Sequence, residues 1–163
     1  MKKILALLIL VLCIFSCRYF NVSPVNGITT KNLTEKPLPK DFSGKWRLDK
    51  YSYDLLIKKG YEYKNVELII KNNGSFDAKN FPNFIDAFNK MKTKEYLNSK
   101  GTWEIGKDFD EKKWVLGLNF EKSELYRDDL SIEFDLYVEE EKLILWYFVG
   151  DPDSGDRLLF KKE

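Results

Sequence analysis

The sequence predicts an all-β fold, an antiparallel up-and-down barrel of eight strands with one inserted helix. Two segments indicate strands most clearly, because apolar residues alternate with polar ones from Trp114 to Phe120 and from Leu130 to Val138. Alternation with a period of two places successive side chains on opposite faces of a sheet, so that one face is buried and the other is wet. A helical pattern interrupts the strands once, and closure into a barrel would remove the edges of an open sheet.

The other strands are predicted from shorter runs of the same kind. Asn72-Asn73-Gly74 lies between two of them and is typical of a hairpin, because Asn and Gly tolerate the positive φ of a type I′ turn. These further strands are predicted at about 44–51, 64–71, 74–78, 100–105, 142–149 and 157–162.

The inserted helix is predicted over Pro82 to Leu97. Proline suits the first turn of a helix, and apolar side chains recur at helical spacing along one face of this segment. The apolar stripe consists of Phe84, Ile85, Phe88 and Met91.

Most of the tryptophans are predicted to face the inside of the barrel. An eight-stranded barrel is just wide enough to be filled by side chains or to hold one small ligand, so these residues either line an apolar pocket or fill it. The candidate ligand-binding residues are Trp46, Trp103, Trp114 and Phe134. The other residues predicted to face inward are Leu48, Leu68, Ile70, Ile105, Leu116, Leu118, Phe120, Ile132 and Leu136.

One predicted strand breaks the alternation, since Leu143 to Val149 is apolar on both faces. One face belongs to the core, and the other needs a second cover. The apolar stripe of the predicted helix is the nearest candidate for that cover. If the face is exposed instead, it marks a protein-contact surface. The residues concerned are Ile144, Trp146 and Phe148, or their odd-numbered neighbours.

The composition excludes most catalytic chemistries. The chain contains no His, which removes imidazole bases and the zinc and copper sites that use His. Paired carboxylates lie in predicted turns, where solvated side chains are the usual reading. We therefore predict no catalytic residue, no metal ligand, no cofactor and no enzyme activity. The turn from Asp151 to Asp156 leaves calcium binding as an open alternative, although it lacks the spacing of an EF-hand.

The charge balance argues against a nucleic-acid partner. There are 27 Lys and Arg residues against 26 Asp and Glu residues, which gives a formal net charge of +1. Nucleic-acid binding needs a concentrated basic surface, and this balance does not provide one.

The amino terminus predicts export and anchoring. Lys2 and Lys3 precede the apolar run from Ile4 to Phe15, which suits the apolar region of an export signal and is too short to span a bilayer. Ile14-Phe15-Ser16-Cys17 then resembles the lipobox of bacterial lipoproteins, with a branched aliphatic residue and a small residue before the cysteine. The resemblance implies cleavage after Ser16 and lipidation of Cys17. The alternative is an ordinary signal peptide or an uncleaved membrane helix in which this cysteine is incidental.

The chain is accordingly divided into three parts. Residues 1–16 are predicted to be a lipoprotein signal peptide, residues 17–40 the lipidated cysteine with an extended tether, and residues 41–163 the barrel domain. Prolines near its end would stiffen the tether, and in the alternative reading part of it packs on the domain. The expected location is the bacterial cell envelope, with the lipid anchor in a membrane, which is the outer membrane in a Gram-negative cell.

The start of the first strand, Ser43-Gly44-Lys45-Trp46, resembles the Gly-x-Trp signature of lipocalins and lipocalin-like lipoproteins. Gly101-Thr102-Trp103 and the turn from Gly150 to Gly155 are similar to segments of small lipocalin-like bacterial domains. In lipocalins the signature Trp closes one barrel end under a basic residue near the end of the last strand. Here Arg157 starts the last strand, so pairing of the first and last strands would place Trp46 nearer to Phe160–Lys162.

This resemblance implies a barrel that binds a small apolar ligand or lipid at the cell envelope. The alternative is a tethered module that binds or inhibits another envelope protein through an aromatic surface. Both readings include a membrane as partner through the lipid anchor.

Overall fold

The computed structural model describes residues 30–33, 35–83, 94–121, 130–151 and 155–163. Within these ranges the strands are β1 Lys31–Asn32, β2 Gly44–Leu48, β3 Glu67–Ile70, β4 Ser75–Pro82, β5 Tyr96–Lys107, β6 Trp114–Phe120, β7 Leu130–Glu139, β8 Lys142–Phe148 and β9 Arg157–Lys162. The helices are α1 Pro39–Phe42 and α2 Lys50–Lys58. No helix within the described ranges is long and apolar enough to cross a membrane.

Strands β2 to β9 form a closed antiparallel up-and-down barrel, as the alternating pattern predicts. Each strand pairs with the next along the chain, and β2 pairs with β9 to complete the ring. In this closing pair Leu48 lies opposite Phe160, and Trp46 lies opposite Lys162. The predicted closure is therefore confirmed. The ammonium group of Lys162 also donates a hydrogen bond of 3.1 Å to the carbonyl oxygen of Asp41.

The residues predicted to face inward belong to the core or pack against it. Aromatic rings pack against one another inside the barrel. The ring centroid of Phe160 lies 6.0 Å from that of Phe81 and 5.6 Å from that of Phe134. Phe76 and Phe120 meet edge to face at 4.9 Å. These distances are typical of packed aromatic pairs, so side chains fill this part of the barrel.

The described helices differ from the prediction. The first strand was predicted to extend to residue 51, but α2 begins at Lys50 because Asp49 caps it. The carboxylate of Asp49 accepts a hydrogen bond of 2.8 Å from the backbone N–H of Ser52. Such a cap satisfies one of the unpaired N–H groups in the first helical turn.

The predicted helix over residues 82–97 is wrong at both of its ends. Pro82 ends β4 and lies opposite Tyr96, near the start of β5, so both residues belong to the sheet. A register shift between Ala78 and Phe81 allows the two strands to continue pairing beyond the predicted end at residue 78. The middle of the predicted helix, residues 84–93, lies outside the described residues.

Part of the segment predicted as a tether contacts the barrel. β1 pairs antiparallel with β7, and Lys31 lies opposite Val138. Pro37 is buried, and α1 carries Phe42 into the core, where it is fully buried. We call residues 35–42 the strap. We call the end of the barrel that they cross the strap end, and the end that carries α2 the α2 end.

Candidate functional site

Three of the predicted ligand-binding residues are parts of the packed interior. Trp46 and Phe134 are fully buried, and Trp103 is 8% exposed. The indole nitrogen of Trp46 donates a hydrogen bond of 2.7 Å to the carbonyl oxygen of Phe42. That of Trp103 donates one of 2.9 Å to the carbonyl oxygen of Lys71. The polar atoms of both tryptophans are therefore satisfied within the fold.

A groove of about 410 Å³ lies between the strap and the barrel, and we call it the strap groove. Trp103 and Ile105 of β5 contribute its apolar side on the barrel. Its remaining lining residues are Lys36, Pro37, Leu38 and Pro39 of the strap and Asn72 and Gly74 of the β3–β4 turn. Its volume lies in the range of small-molecule sites, which are mostly apolar with a few polar groups. Trp103 is thus the predicted ligand-binding residue that borders this groove.

Trp114 lies at the same end of the barrel and is half-buried. Its ring centroid is 4.0 Å from the ammonium group of Lys107 and 5.9 Å from that of Lys36. Ammonium groups at such distances are attracted by the negative face of an indole ring. The indole nitrogen of Trp114 is buried without a hydrogen-bond partner. Since Lys36 also lines the strap groove, it joins the surroundings of Trp114 to that groove.

The predicted protein-contact residues lie on the outer face of β8. Ile144 and Trp146 form a cluster with Leu159 of β9, separate from the main core, and Tyr137 and Phe148 pack against it. Ile144 and Trp146 are each 1% exposed. The even-numbered side chains therefore point away from the interior, as one of the two predicted alternatives requires. Ile144 and Trp146 are covered, whereas Phe148 is half-buried.

Arg157 and α2 contribute to the cover of Trp146. The guanidinium carbon of Arg157 lies 4.7 Å from the ring centroid of Trp146 and 4.3 Å from that of Tyr51. The hydroxyl of Tyr51 donates a hydrogen bond of 3.2 Å to the carbonyl oxygen of Gly155. The predicted cover, the Phe84 stripe, lies outside the described residues. Its flanking strands, β4 and β5, are on the side of the barrel opposite to β8.

A larger groove of about 970 Å³ runs between the strap, the β7–β8 hairpin and the end of β9. We call it the hairpin groove. Its lining is mostly charged, and Glu139 pairs there with Lys161 at 2.5 Å. Ile144 is one of the lining residues, but it is only 1% exposed and offers little surface to a partner.

A cluster of tyrosines at the α2 end was not predicted from the sequence. The rings of Tyr61 and Tyr96 meet edge to face at 5.4 Å. Burial raises the pKa of Tyr96 to about 12, with smaller contributions from Tyr61, Tyr53 and Glu62. The hydroxyl of Tyr61 donates a hydrogen bond of 2.8 Å to the carbonyl oxygen of Asn83. In the sequence, the signal for this cluster was the presence of two tyrosines two residues apart, Tyr61 and Tyr63.

The described residues contain no group of three or more His, Cys, Asp or Glu side chains that could hold a metal ion. In the turn considered for calcium, Asp156 pairs with Lys59 at 2.6 Å and Asp151 is exposed. Residues 152–154 of that turn lie outside the described residues, as does Cys17.

The described part of the chain is a closed, eight-stranded, antiparallel up-and-down β-barrel with a strap across one end. No protein-family model matches the chain, and no curated protein or solved structure matches it significantly.

Proposed function

We propose that the chain is a lipid-anchored bacterial envelope protein whose lipocalin-like barrel binds a small apolar ligand or lipid in the strap groove. The observation that carries this proposal is the groove itself, which combines apolar side chains of the barrel and the strap with one lysine. The proposal assigns no cofactor and no catalytic residue to the chain.

The strap groove suits a ligand with an apolar body and an anionic end. Trp103, Ile105 and Leu38 offer apolar surface, and burial of such surface contributes about 25 cal/mol per Å². Lys36 lies in the same lining and can pair with a carboxylate or phosphate. Packed rings occupy part of the barrel interior, which favours a ligand in the strap groove over one among these rings.

A titration with a fluorescent fatty-acid analogue tests this site. Leu38 is 53% exposed and lines the groove, whereas Ile57 is 51% exposed and lies on α2 at the other end. We expect Leu38→Gln to weaken binding several-fold, because it places an amide against the apolar body of the ligand. The matched control Ile57→Gln should change binding less than about twofold. Equal effects of the two substitutions, or no saturable binding by the parent chain, would contradict the proposed site.

The proposed anchor is tested separately at Cys17. Replacement by Ala should abolish incorporation of labelled palmitate and cleavage after Ser16, because the lipobox that directs both steps ends in this cysteine. Absence of palmitate from the parent chain, or unchanged cleavage of the Cys17→Ala chain, would instead indicate that this cysteine is incidental.

The hairpin groove supports a second candidate function, binding of another envelope protein. Its size and its mixed charges favour an extended polar partner. Affinity capture followed by native mass spectrometry should then yield a stoichiometric protein. Lys142→Glu in this groove should release that protein, whereas Lys112→Glu on the neighbouring β5–β6 turn should not. A lipid-sized adduct without a protein would favour the first function.

A further inference from the structure

Phe109 is fully exposed at the turn between β5 and β6, with a relative accessibility of 102%. It is the most exposed of the large hydrophobic side chains in the described part of the chain. An exposed phenylalanine gains free energy wherever it can leave water, and its full burial contributes about 1.5–3 kcal/mol. This free energy can therefore be gained only by contact with a partner outside the barrel.

The turn is held by hydrogen bonds, so the exposure of Phe109 is a built feature of the fold. The carboxylate of Asp108 accepts hydrogen bonds of 2.7 Å from the backbone N–H of Lys112 and 3.0 Å from that of Lys113. Both hydrogen bonds lower the pKa of Asp108, and the bond from the backbone of Lys113 contributes most. Glu111 adopts a φ of +57°, which turns the chain back toward β6. The arrangement presents Phe109 outward at the strap end.

The chain also enters the barrel at the strap end. β7 runs toward this end, and its residue Val138 pairs with Lys31 of β1. The thirteen residues from Cys17 to Thr29 span at most about 45 Å when fully extended. The ten residues of β7 span about 33 Å. A membrane anchored at Cys17 is therefore within reach of the strap end without extension of the connection, whereas docking by the α2 end would require a span along most of the barrel.

Charges around the turn nearly cancel. Lys107, Lys112 and Lys113 stand against Asp108, Asp110 and Glu111 in sequence. Lys112 pairs with Asp110 at 3.0 Å. Attraction to anionic lipid is therefore weak, and an aromatic side chain at the membrane–water interface is the contact that this turn can offer.

We propose that the strap end of the barrel docks on the lipid surface, with Phe109 inserted at the membrane interface beside the lipid anchor. The inference rests on the proposed anchoring at Cys17, and it specifies how the barrel faces its membrane. Docking in this way turns the end that contains the strap groove toward the lipid, so that an apolar ligand has a short path between the bilayer and Trp103. The contact should depend little on ionic strength.

Nitroxide labels on the membrane-bound full chain test the orientation. One label is attached at Asp110→Cys, which is exposed in the same turn and keeps Phe109 in place, and the matched control is attached at Tyr63→Cys near the α2 end, where the native side chain is 68% exposed. In the mature anchored chain no other free thiol is expected. The measurement compares collision of each label with oxygen, which concentrates in lipid, and with a water-soluble nickel chelate.

We expect the oxygen-to-nickel collision ratio at position 110 to exceed that at position 63 several-fold, at low and at high salt. Equal, aqueous ratios at both positions in a chain that sediments with membranes would overturn the docking and leave the anchor intact. A higher ratio at position 63 would overturn it as well, because the barrel would then face the lipid with the α2 end. Loss of the chain from the membrane fraction would overturn the anchor and the docking together.

Discussion

The indole nitrogen of Trp46 donates a hydrogen bond of 2.7 Å to the carbonyl oxygen of Phe42, and both residues are fully buried. The bond links the first strand of the barrel to α1, the last part of the strap. The ring of Phe42 in turn lies 5.7 Å from that of Trp103. The strap thus closes one end of the barrel, and the contacts of Phe42 inside the core hold it there.

Trp46→Phe should destabilise the chain by more than the loss of apolar area alone. The carbonyl oxygen of Phe42 would remain buried without its donor, which costs about 1–3 kcal/mol. Urea unfolding measures the change in the free energy of unfolding, and limited proteolysis within residues 35–42 reports on detachment of the strap. An unchanged unfolding midpoint would contradict the role assigned to this bond.

Gly101→Ala and Gly106→Ala should have opposite outcomes, although both lie in β5. A Cβ atom at position 101 would lie 2.0 Å from the backbone oxygen of Asn119, and backbone cannot yield as a flexible side chain does. At position 106 the nearest atom is Cγ2 of Val115, at 3.8 Å. We expect Gly101→Ala to cost about 3 kcal/mol or more and Gly106→Ala to be neutral or stabilising by up to about 1 kcal/mol.

Thermal and urea unfolding of the two glycine variants provide the measurement. Similar unfolding midpoints for both would show that β5 and β6 can separate locally, contrary to the close approach at Gly101.

Ser52→Ala should loosen the attachment of α2 to the barrel. The hydroxyl of Ser52 accepts a hydrogen bond of 2.8 Å from the backbone N–H of Leu159 and donates one of 2.6 Å to Asp49. Removal of the hydroxyl leaves a buried N–H unpaired, so the free energy of unfolding should fall by about 1–3 kcal/mol. Ser75→Ala is the control, because its hydroxyl bonds Asn73 in an exposed turn and its loss should cost less than about 0.5 kcal/mol. Comparable losses of unfolding free energy in Ser52→Ala and Ser75→Ala would refute the role assigned to the hydroxyl of Ser52.

Alkaline pH should destabilise the fold partly through Tyr96. Its pKa is raised from 10.0 to about 12, chiefly by burial. Between these values an unfolded tyrosine loses its proton while the folded one keeps it, so rising pH favours unfolding. The contribution is fully present below the unfolded pKa and disappears as the pH rises toward the folded pKa. In Tyr96→Phe the free energy of unfolding should fall less steeply with pH over this range. Urea unfolding at a series of pH values measures the change. An equally steep fall in the parent and in Tyr96→Phe would contradict the assignment to Tyr96.

The strands were predictable because each has one buried and one wet face. β6 and β9 begin and end where the alternation predicts, and the closing register of Trp46 with Lys162 follows from antiparallel pairing of the first and last strands. α2 was missed because Tyr51 and Tyr53 favour strands, although Asp49 offered the signal of a helix cap.

The grooves could not be predicted, because they depend on contacts between distant parts of the chain. Pro37 and its neighbours look like a tether in sequence, and only the fold shows that they line a groove together with Trp103 and Ile105. The apolar character of β8 predicted that Trp146 needs a cover. The ring of Tyr51 and the guanidinium of Arg157 could not be identified as parts of that cover without α2.

The pairing of β2 with β9 constrains the order of events during synthesis. β2 comes early in the chain and cannot complete its pairing until β9 has emerged. Until then both edges of the growing sheet remain open and can pair with other chains. The chain is therefore vulnerable to aggregation and proteolysis until β9 is in place, and a truncation within β9 should expose it to proteases rather than yield a slightly shorter barrel.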